Sequence, residues 1–290
     1  MTFVILSNIR IFFYLYADDV KLFTTIHSLT DTDLLQEDLD NIVYWSELNK
    51  LYLNINKCAT MTYGSTKFFN KYCLQGSHIE RLPIYKDLGV IMDGKLLFAE
   101  HIKEITKKAS KSLSTIIRLP ANFNVNTIVL LYNALVRPHL EYASIIWNPN
   151  NKSLSETIER VQKRLLRFLY FKKHRIYPHY HFHPVRTSAM EIEFNIQCLK
   201  SRRDVSEYIF LFKLLNHSID CIDLMNNIGI KVSQRNTRST GLLFVPKRRS
   251  SPLSRAIENF NKLNNDLDIF SRNLHNFMHI ILQVTGLSHS

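Results

Sequence analysis

The chain of 290 residues contains little cysteine, and its cysteines show no paired short spacing. The four cysteines are Cys58, Cys73, Cys198 and Cys221. Such wide separation implies neither a short zinc-binding motif nor the disulfide framework of a small secreted domain. A reducing compartment is therefore expected.

The start of the chain also lacks a run of apolar residues that is long enough for a membrane span. Ser7, Asn8 and Arg10 interrupt its apolar patches, and Asp18 and Asp19 follow soon afterwards. A spanning helix needs about 20 apolar residues, and a signal peptide places its basic residue ahead of the apolar run. We therefore expect an intracellular protein with no membrane partner, in the nucleus or the cytoplasm.

Acidic residues are scarce relative to basic ones. The sequence has 37 Lys and Arg against 25 Asp and Glu, which gives a formal net charge of +12. A basic excess favours polyanions through counterion release, so a nucleic acid is a candidate partner. The length and the 46% hydrophobic content are sufficient for a sizeable core in one or two domains.

The feature most typical of a catalytic or metal-binding site is a pair of adjacent carboxylates, Asp18 and Asp19. Aromatic and branched residues at 9–16 and 20–26 predict two strands, so residues 17–19 fall at the tight turn of a hairpin. Neighbouring carboxylates repel each other unless they are solvated or meet a cation such as Mg²⁺. A solvated Asp-Asp turn without a ligand is the alternative.

Six short segments, in a fixed order along nearly the whole chain, resemble one protein family. They read Tyr16-Ala-Asp-Asp19, Leu51-Tyr-Leu-Asn-Ile-Asn-Lys57, Tyr85-Lys-Asp-Leu-Gly-Val-Ile-Met-Asp93, Arg137-Pro-His-Leu-Glu-Tyr-Ala-Ser-Ile-Ile-Trp147, Arg160-Val-Gln-Lys-Arg164 and Ser201-Arg-Arg-Asp204. Together they resemble the Tyr-X-Asp-Asp hairpin, the palm and the downstream helices of reverse transcriptases from non-long-terminal-repeat retrotransposons. Each segment is weakly specific alone, whereas six in the same order are specific.

The resemblance implies an RNA-directed DNA polymerase of the α+β class. Residues 1–98 would be a partial palm, an antiparallel sheet with a helix, and residues 99–290 a mostly helical thumb-like region and C-terminal extension. It implies that Asp18 and Asp19 bind catalytic Mg²⁺ and that Lys57 donates a proton to pyrophosphate, although Lys57 by its spacing alone is a solvated lysine. The implied partner is RNA or an RNA/DNA hybrid.

The sequence departs from the family pattern ahead of the hairpin. The family uses a further palm aspartate on an earlier strand, but only fifteen residues precede Tyr16, and Met1 to Ile11 includes no acid. Two-metal phosphoryl transfer needs carboxylates that bridge both ions. We therefore expect an N-terminally truncated, catalytically incomplete polymerase. The alternatives are a non-enzymatic basic RNA- or DNA-binding protein and an inert retrotransposon remnant, whose exposed sheet edge would favour association with another chain.

A basic amphipathic helix is predicted over residues 154–173, with Ser153 and Glu156 spaced as a capping box. The apolar residues of one face are Ile158, Val161, Leu165 and Phe168. The basic residues of a neighbouring face are Arg160, Lys163, Arg164 and Arg167. We predict that this basic face follows nucleic-acid phosphates, and a solvated face is the alternative.

A second basic tract, residues 231–255, contains no acid and is punctuated by Ser, Thr, Asn, Pro and Gly, which predicts a mobile loop. Its arginines and lysines include Arg235, Arg238, Lys247, Arg248, Arg249 and Arg255. Lys247, Arg248 and Arg249 are candidate nucleic-acid-binding residues. A nuclear-localisation patch and a disordered segment remain equally open.

The composition changes near residue 98 from strand-like to helix-like runs. Before it, strands are predicted over 59–63, 71–74, 79–82 and 86–92, with a helix over 31–49. After it, helices are predicted over 99–118, 125–147, 154–173 and 189–216, with Pro138 dividing or kinking the second. Tyr142 and Trp147 are expected in the core. The histidine-rich residues 174–183 are expected to form a partly exposed linker between helices, and a Zn²⁺ site on alternate histidines is the alternative.

Overall fold

A computed structural model describes residues 11–65, 67–68, 70–119, 123–178, 184–231, 242–245, 251–263, 269–270 and 273–285. The chain divides into two compact units, Met1–Leu96 and Leu97–Ser290. The described part of the first combines short strands with one long helix, and that of the second is mostly helical. This mixture confirms the α+β class, and the assignment to palm and thumb stays a prediction.

The strands of the first unit pair two by two. They are β1 (Phe12–Tyr16), β2 (Asp19–Phe23), β3 (Ala59–Thr60), β4 (Cys73–Leu74), β5 (Ser77–His78), β6 (Glu80–Arg81), β7 (Ile84–Asp87) and β8 (Val90–Asp93). The pairs β1–β2, β4–β5 and β7–β8 are antiparallel, and β3–β6 is parallel. No sheet among the described residues has more than two strands, so these pairs have open edges.

One helix, α1 (Leu29–Leu48), organises the first unit, and it agrees with the predicted helix. Ser28 caps its start, and the Asp31 carboxylate accepts a hydrogen bond from the Ser28 backbone in return, which forms a capping box. The Gln36 side chain donates to the Cys73 carbonyl and accepts from the Cys73 amide, both at 2.9 Å. This double contact fixes β4 against the helix.

The prediction of one strand over residues 86–92 is wrong, because the chain reverses within that run. Leu88 and Gly89 form a two-residue loop between β7 and β8, with φ angles of 43° and 86°. Two residues at positive φ match the twist of a hairpin, and the glycine accepts that conformation without strain. The apolar run therefore belongs to two strands.

The second unit contains α2 (Ala99–Ile117), α3 (Val125–Leu135), α4 (Arg137–Glu141), α5 (Ser144–Trp147), α6 (Lys152–His174), α7 (Thr187–Glu193), α8 (Leu199–Leu215), α9 (Ile222–Met225), α10 (Pro252–Phe260) and α11 (Leu274–Val284), with the strands β9 (Gly229–Ile230) and β10 (Leu243–Phe244). Leu113, Tyr132 and Leu165 are fully buried where α2, α3 and α6 pack together. Phe212 and Phe277 stack with ring centroids 4.3 Å apart where α8 and α11 pack.

Two predicted long helices are divided. The first ends at Leu135, and Pro138 occupies the opening turn of α4, so the division expected from this proline is confirmed. A further break follows at Ala143, with a φ of 51°. The predicted helix over 189–216 is wrong as a single element, because Asn195, with a φ of 51°, separates α7 from α8.

The break at Ala143 explains why only one of the two aromatic core predictions is confirmed. Trp147 is fully buried, and its indole N–H donates to the Tyr142 carbonyl at 2.7 Å. The Tyr142 ring is 59% exposed, so its prediction as a core residue is wrong. One continuous helix would place both rings on one face, but the helix is interrupted between Tyr142 and Trp147. Among the described residues, no helix has the length and apolar character that a membrane crossing needs.

Candidate functional site

The carboxylates Asp18 and Asp19 lie at the solvent-exposed tip of the β1–β2 hairpin. Tyr16 pairs with Asp19, so the loop contains only Ala17 and Asp18, and Asp19 is the first residue of β2. The predicted three-residue turn is therefore one residue too long, and β2 also ends at Phe23 rather than at residue 26. Ala17 has a φ of 52°, the left-handed conformation that tight hairpin turns use.

Side chains from both strands hold this hairpin together. The Phe23 ring stacks against Phe12 and Tyr14, with centroid distances of 5.5 and 5.1 Å. Because side chains alternate along a strand, Lys21 lies on the same face as Asp19 and Phe23. The Lys21 ammonium contacts the Asp87 carboxylate of β7 at 2.5 Å. Two of the segments that carry the family resemblance, the Tyr-Ala-Asp-Asp hairpin and β7–β8, are thus joined by an ion pair.

The donor atoms at the hairpin tip suit a hard divalent cation in part. Mg²⁺ typically takes one or two protein carboxylates and completes its octahedron with water and substrate phosphates. Asp18 and Asp19 can supply such carboxylates. Within the described residues, no group of three or more His, Cys, Asp and Glu side chains is arranged to hold a metal ion. The two aspartates therefore offer part of a coordination sphere.

Lys57 lies in a single 3-10 turn, Ile55–Lys57, with its side chain exposed. No hydrogen bond or ion pair joins it to Asp18 or Asp19 in the part of the chain that the structure describes. The hairpin holds the two aspartates side by side, and among the described residues Lys57 makes no hydrogen bond or ion pair with them. A proton-donor role for Lys57 stays a prediction.

The predicted basic helix forms, but it starts earlier than expected. Asn151 caps α6, and its side-chain oxygen accepts a hydrogen bond from the Ser153 amide at 2.8 Å. The capping box of Ser153 and Glu156 is therefore wrong, because an asparagine two residues earlier already occupies the cap. The helix begins at Lys152 and extends to His174.

The two faces of α6 agree with the predicted pattern. Ile158, Val161 and Leu165 are buried, Leu166 and Leu169 are buried beside them, and Phe168 is partly buried. Arg160, Arg164 and Arg167 are exposed, and Lys163 is partly buried. The helix therefore packs with one face and presents cations on another.

The structure adds α2 to this basic surface. An open cleft of about 310 Å³ lies at the surface where α2 packs against α6, and we call it the α2–α6 cleft. Its lining residues are Lys103, Thr106, Lys107, Ser110, Thr157, Arg160, Val161 and Arg164. Four of these are cations, three carry hydroxyl groups and none is a carboxylate. Of the four predicted basic residues, Arg160 and Arg164 enter the cleft, whereas Lys163 and Arg167 lie outside its lining.

The contribution of α2 had a weak signal in the sequence. Lys103 and Lys107 stand four residues apart and so share one face of the helix, and Ile102, Ile105 and Ala109 are buried. The amphipathic pattern predicts that α2 is a helix with a basic outer face. It does not predict which other helix that face will meet.

The remaining candidate residues have varied positions. Lys247, Arg248, Arg249, Arg235 and Arg238 lie outside the described residues, as do His179, His181 and His183. His174 contacts Glu193 at 2.7 Å, and a hydrogen bond from Lys173, with a further one from His174, lowers the pKa of that carboxyl group. These contacts belong to an ordinary charged cluster between α6 and α7.

Arg255 was predicted in a mobile loop, and this is wrong. It is buried in α10, and its guanidinium donates to the Glu207 carboxylate at 2.6 Å. Its cationic charge is neutralised by the buried carboxylate, so Arg255 has a structural role.

Two further segments of the family resemblance contact each other inside the second unit. Arg202 forms an ion pair with Glu141. Arg203 donates to the Asn148 side chain at 3.0 Å and to the Ser155 hydroxyl at 3.3 Å. The Ser-Arg-Arg-Asp segment therefore joins α8 to α4, to the residue that follows α5, and to α6. These arginines hold helices together rather than presenting charge to solvent.

Comparison with known proteins identifies relatives in the class of polymerases that the sequence motifs resemble. The chain is 31% identical over 157 residues to the RNA-directed DNA polymerase from mobile element jockey of Drosophila melanogaster, and 29% identical over 157 residues to its namesake in Drosophila funebris. Each match covers 52% of this chain and 17% of the relative. An uncharacterized protein of Caenorhabditis elegans is 33% identical over 84 residues, which is 29% of this chain and 42% of that protein.

No protein-family model matches the chain, and no solved structure matches it. The chain matches only about a sixth of the length of the jockey polymerases. Over about half of its own length, the chain is similar to the RNA-directed DNA polymerases of the jockey mobile elements, which agrees with the resemblance carried by the sequence motifs.

Proposed function

We propose that this chain is part of an RNA-directed DNA polymerase in which Asp18 and Asp19 are two of the Mg²⁺-binding carboxylates. The observation that carries the proposal is a Tyr-Ala-Asp-Asp sequence at an exposed hairpin tip in a relative of the jockey polymerases. The tip is open to solvent, so a primer end and a nucleotide can approach both carboxylates.

The reaction joins the 3′ oxygen of a primer to the α-phosphorus of a nucleoside triphosphate and releases pyrophosphate. Bound Mg²⁺ supplies activation of the attacking oxygen and neutralisation of the leaving group. Asp18 and Asp19 hold the negative charge that attracts the cation, and the Lys21–Asp87 ion pair fixes their hairpin against β7. Lys57 is the proposed proton donor to the pyrophosphate.

We further propose that the described residues are catalytically incomplete. Two-metal transfer needs carboxylates that bridge both ions and hold them about 3.5 to 4 Å apart. Two adjacent aspartates on one tip would reach such ions from one side. Activity would then require another acid from a further segment of a polymerase.

Primer extension on an RNA template with a DNA primer, nucleotides and Mg²⁺ tests both proposals. We expect no incorporation by the present chain and incorporation when it is joined to the upstream palm and fingers of a jockey-type polymerase. In that joined protein, Asp18→Asn should reduce incorporation at least about 100-fold, because it removes a metal ligand. The charge-matched control is Asp33→Asn, which changes an exposed residue of α1.

Incorporation by the present chain that Asp18→Asn abolishes would overturn the proposed incompleteness. Incorporation by the joined protein that survives Asp18→Asn would overturn the assignment of the hairpin as the metal site.

The second candidate function is non-enzymatic binding of RNA or DNA. It is favoured by the exposed Arg160, Arg164 and Arg167 on α6 in a chain of net charge +12. This candidate would be favoured over the polymerase by two results together: salt-sensitive RNA binding by the present chain, and no incorporation by the protein joined to the upstream palm and fingers of a jockey-type polymerase.

A further inference from the structure

We infer that the α2–α6 cleft is a site that binds the sugar–phosphate backbone of a nucleic acid. The inference rests on the nucleic-acid binding proposed above, and it names the residues and the chemical group involved. Only half of the cleft was expected from the sequence, because Lys103 and Lys107 come from α2 and Arg160 and Arg164 from α6. The space of about 310 Å³ is shallow and open to solvent, which suits a backbone that lies across the surface.

The cations of the cleft are largely free to meet an anion. Within the described residues, Lys107, Arg160 and Arg164 have no carboxylate within 4.0 Å, and only Lys103 does, with Glu100 at 3.4 Å. Cations that cluster on one surface with no acid between them attract anions. The described cleft therefore combines a high positive charge with the absence of an acid in its lining.

Both arginines are held in place by hydroxyl groups. Arg164 donates to the Ser114 hydroxyl at 3.1 Å, and that hydroxyl donates to the Ser110 carbonyl at 2.8 Å. Arg160 donates to the Thr157 hydroxyl at 3.0 Å, and Thr157 donates to the Ser153 carbonyl at 2.9 Å. Each guanidinium uses one N–H for this contact and keeps the others for a ligand. Such pre-ordering lowers the entropic cost of binding a phosphate.

The lining favours a polymer backbone over a base or a whole nucleotide. Val161 is its only apolar residue, and it contains no aromatic ring on which a base could stack. A further exposed cation, Arg167 on α6, lies on the same helix outside the cleft. Contacts to phosphates position a nucleic acid without reading its sequence. We therefore expect binding that is independent of base sequence.

Fluorescence anisotropy with a labelled RNA oligonucleotide, measured over a series of salt concentrations, tests the site in the full chain. The cleft variant carries Lys107→Gln and Arg164→Gln. The control variant carries Lys111→Gln and Lys152→Gln, which remove the same charge from exposed positions on the same two helices outside the cleft lining. We expect the affinity of the cleft variant to fall at least about tenfold, and the magnitude of its slope of log K against log salt concentration to fall by about 2. The control variant should keep the wild-type affinity and slope.

Thermal unfolding of both variants establishes that each is folded, and the charge-conserving Lys107→Arg and Arg164→Lys pair should restore the salt slope. Equal loss in the cleft and control variants would overturn the site while leaving nucleic-acid binding intact. An unlabelled RNA of different sequence should compete as well as the original, and inorganic triphosphate should compete only at far higher concentration. Displacement by equimolar triphosphate would instead assign the cleft to a free nucleotide and overturn the inference.

Discussion

His101 is a titratable side chain buried in the second unit. It is 2% exposed and lies against Trp147, with ring centroids 5.2 Å apart. Burial, with a smaller contribution from the positive charge of Lys108, lowers the pKa of His101 from 6.5 to about 4. The folded protein therefore holds His101 neutral at a pH where an unfolded chain protonates it.

This difference predicts a loss of stability in mild acid. Above pH 6.5 neither state binds the proton, so His101 has no effect on the pH dependence there. Between pH 6.5 and about 4 the unfolded state alone is protonated, and the free energy of unfolding should fall by at most about 1.4 kcal/mol per pH unit. Urea unfolding at a series of pH values measures this slope.

The matched variants are His101→Phe, which removes the titrating group from the core, and His139→Gln, which changes an exposed histidine of α4. The first should be less sensitive to pH over this range, and the second should follow the wild type. If His101→Phe kept the full acid sensitivity, some other buried group would be responsible.

At the residue scale, the sequence predicts which side chains are apolar enough to be buried, but not where a helical periodicity stops. Their helical spacing predicts that Trp147 and Tyr142 are both in the core, but only Trp147 is buried. The left-handed conformation of Ala143 changes the direction of the chain between them. Nothing in an alanine signals that conformation, since L-residues with a Cβ rarely adopt it.

At the scale of elements, a buried carboxylate joins three parts of the second unit. Glu207 of α8 accepts hydrogen bonds from Arg255 and Asn259 of α10 and from Asn148, at 2.6, 3.2 and 2.8 Å. Arg255 also donates to the Ile145 carbonyl of α5 at 2.7 Å. Because Glu207 is fully buried, its charge depends on these donors for stabilisation.

The substitution Glu207→Gln should destabilise the protein strongly. It keeps the shape of the side chain but leaves the buried Arg255 without its counter-charge, and breaking a buried pair costs about 3 to 5 kcal/mol. Urea unfolding should show this fall, whereas Glu156→Gln, at an exposed position of α6, should change stability by less than about 0.5 kcal/mol.

Removal of both partners distinguishes the cost of an unpaired buried charge from the cost of changed packing. The double substitution Glu207→Leu with Arg255→Met should cost less than Glu207→Gln, because it leaves no charge buried alone. A Glu207→Gln protein as stable as the wild type would contradict a structural role for the pair.

The sequence predicts the existence of most long elements and fails at their interruptions and contacts. The bounds of α1, α2 and α6 agree with prediction to within a few residues, because amphipathic periodicity and capping residues are local signals. The division of 189–216 at Asn195 and the hairpin at Leu88 and Gly89 depend on positive φ angles, which Asn and Gly adopt readily but do not always adopt. The α2–α6 cleft needs two helices from separate segments to meet, so only half of it was predictable.

At the scale of the whole molecule, the first unit exposes both apolar side chains and unpaired strand edges. The β1–β2 hairpin alone leaves Phe12, Tyr14, Leu15, Tyr16, Val20 and Phe23 more than a third exposed. A two-stranded hairpin is only marginally stable without further packing. Open edges and apolar faces together favour pairing with another strand.

We therefore predict that the purified chain associates as its concentration rises and that the β1–β2 hairpin takes part. The substitution Leu15→Lys places a charge on β1, at a side chain that is 45% exposed, and should shift sedimentation velocity profiles toward the monomer. The control is Leu130→Lys on α3, which adds the same charge at a side chain that is 67% exposed but lies on a helix without an open edge. A wild-type chain that stays monomeric at every concentration, or equal effects of the two lysines, would contradict association through the hairpin.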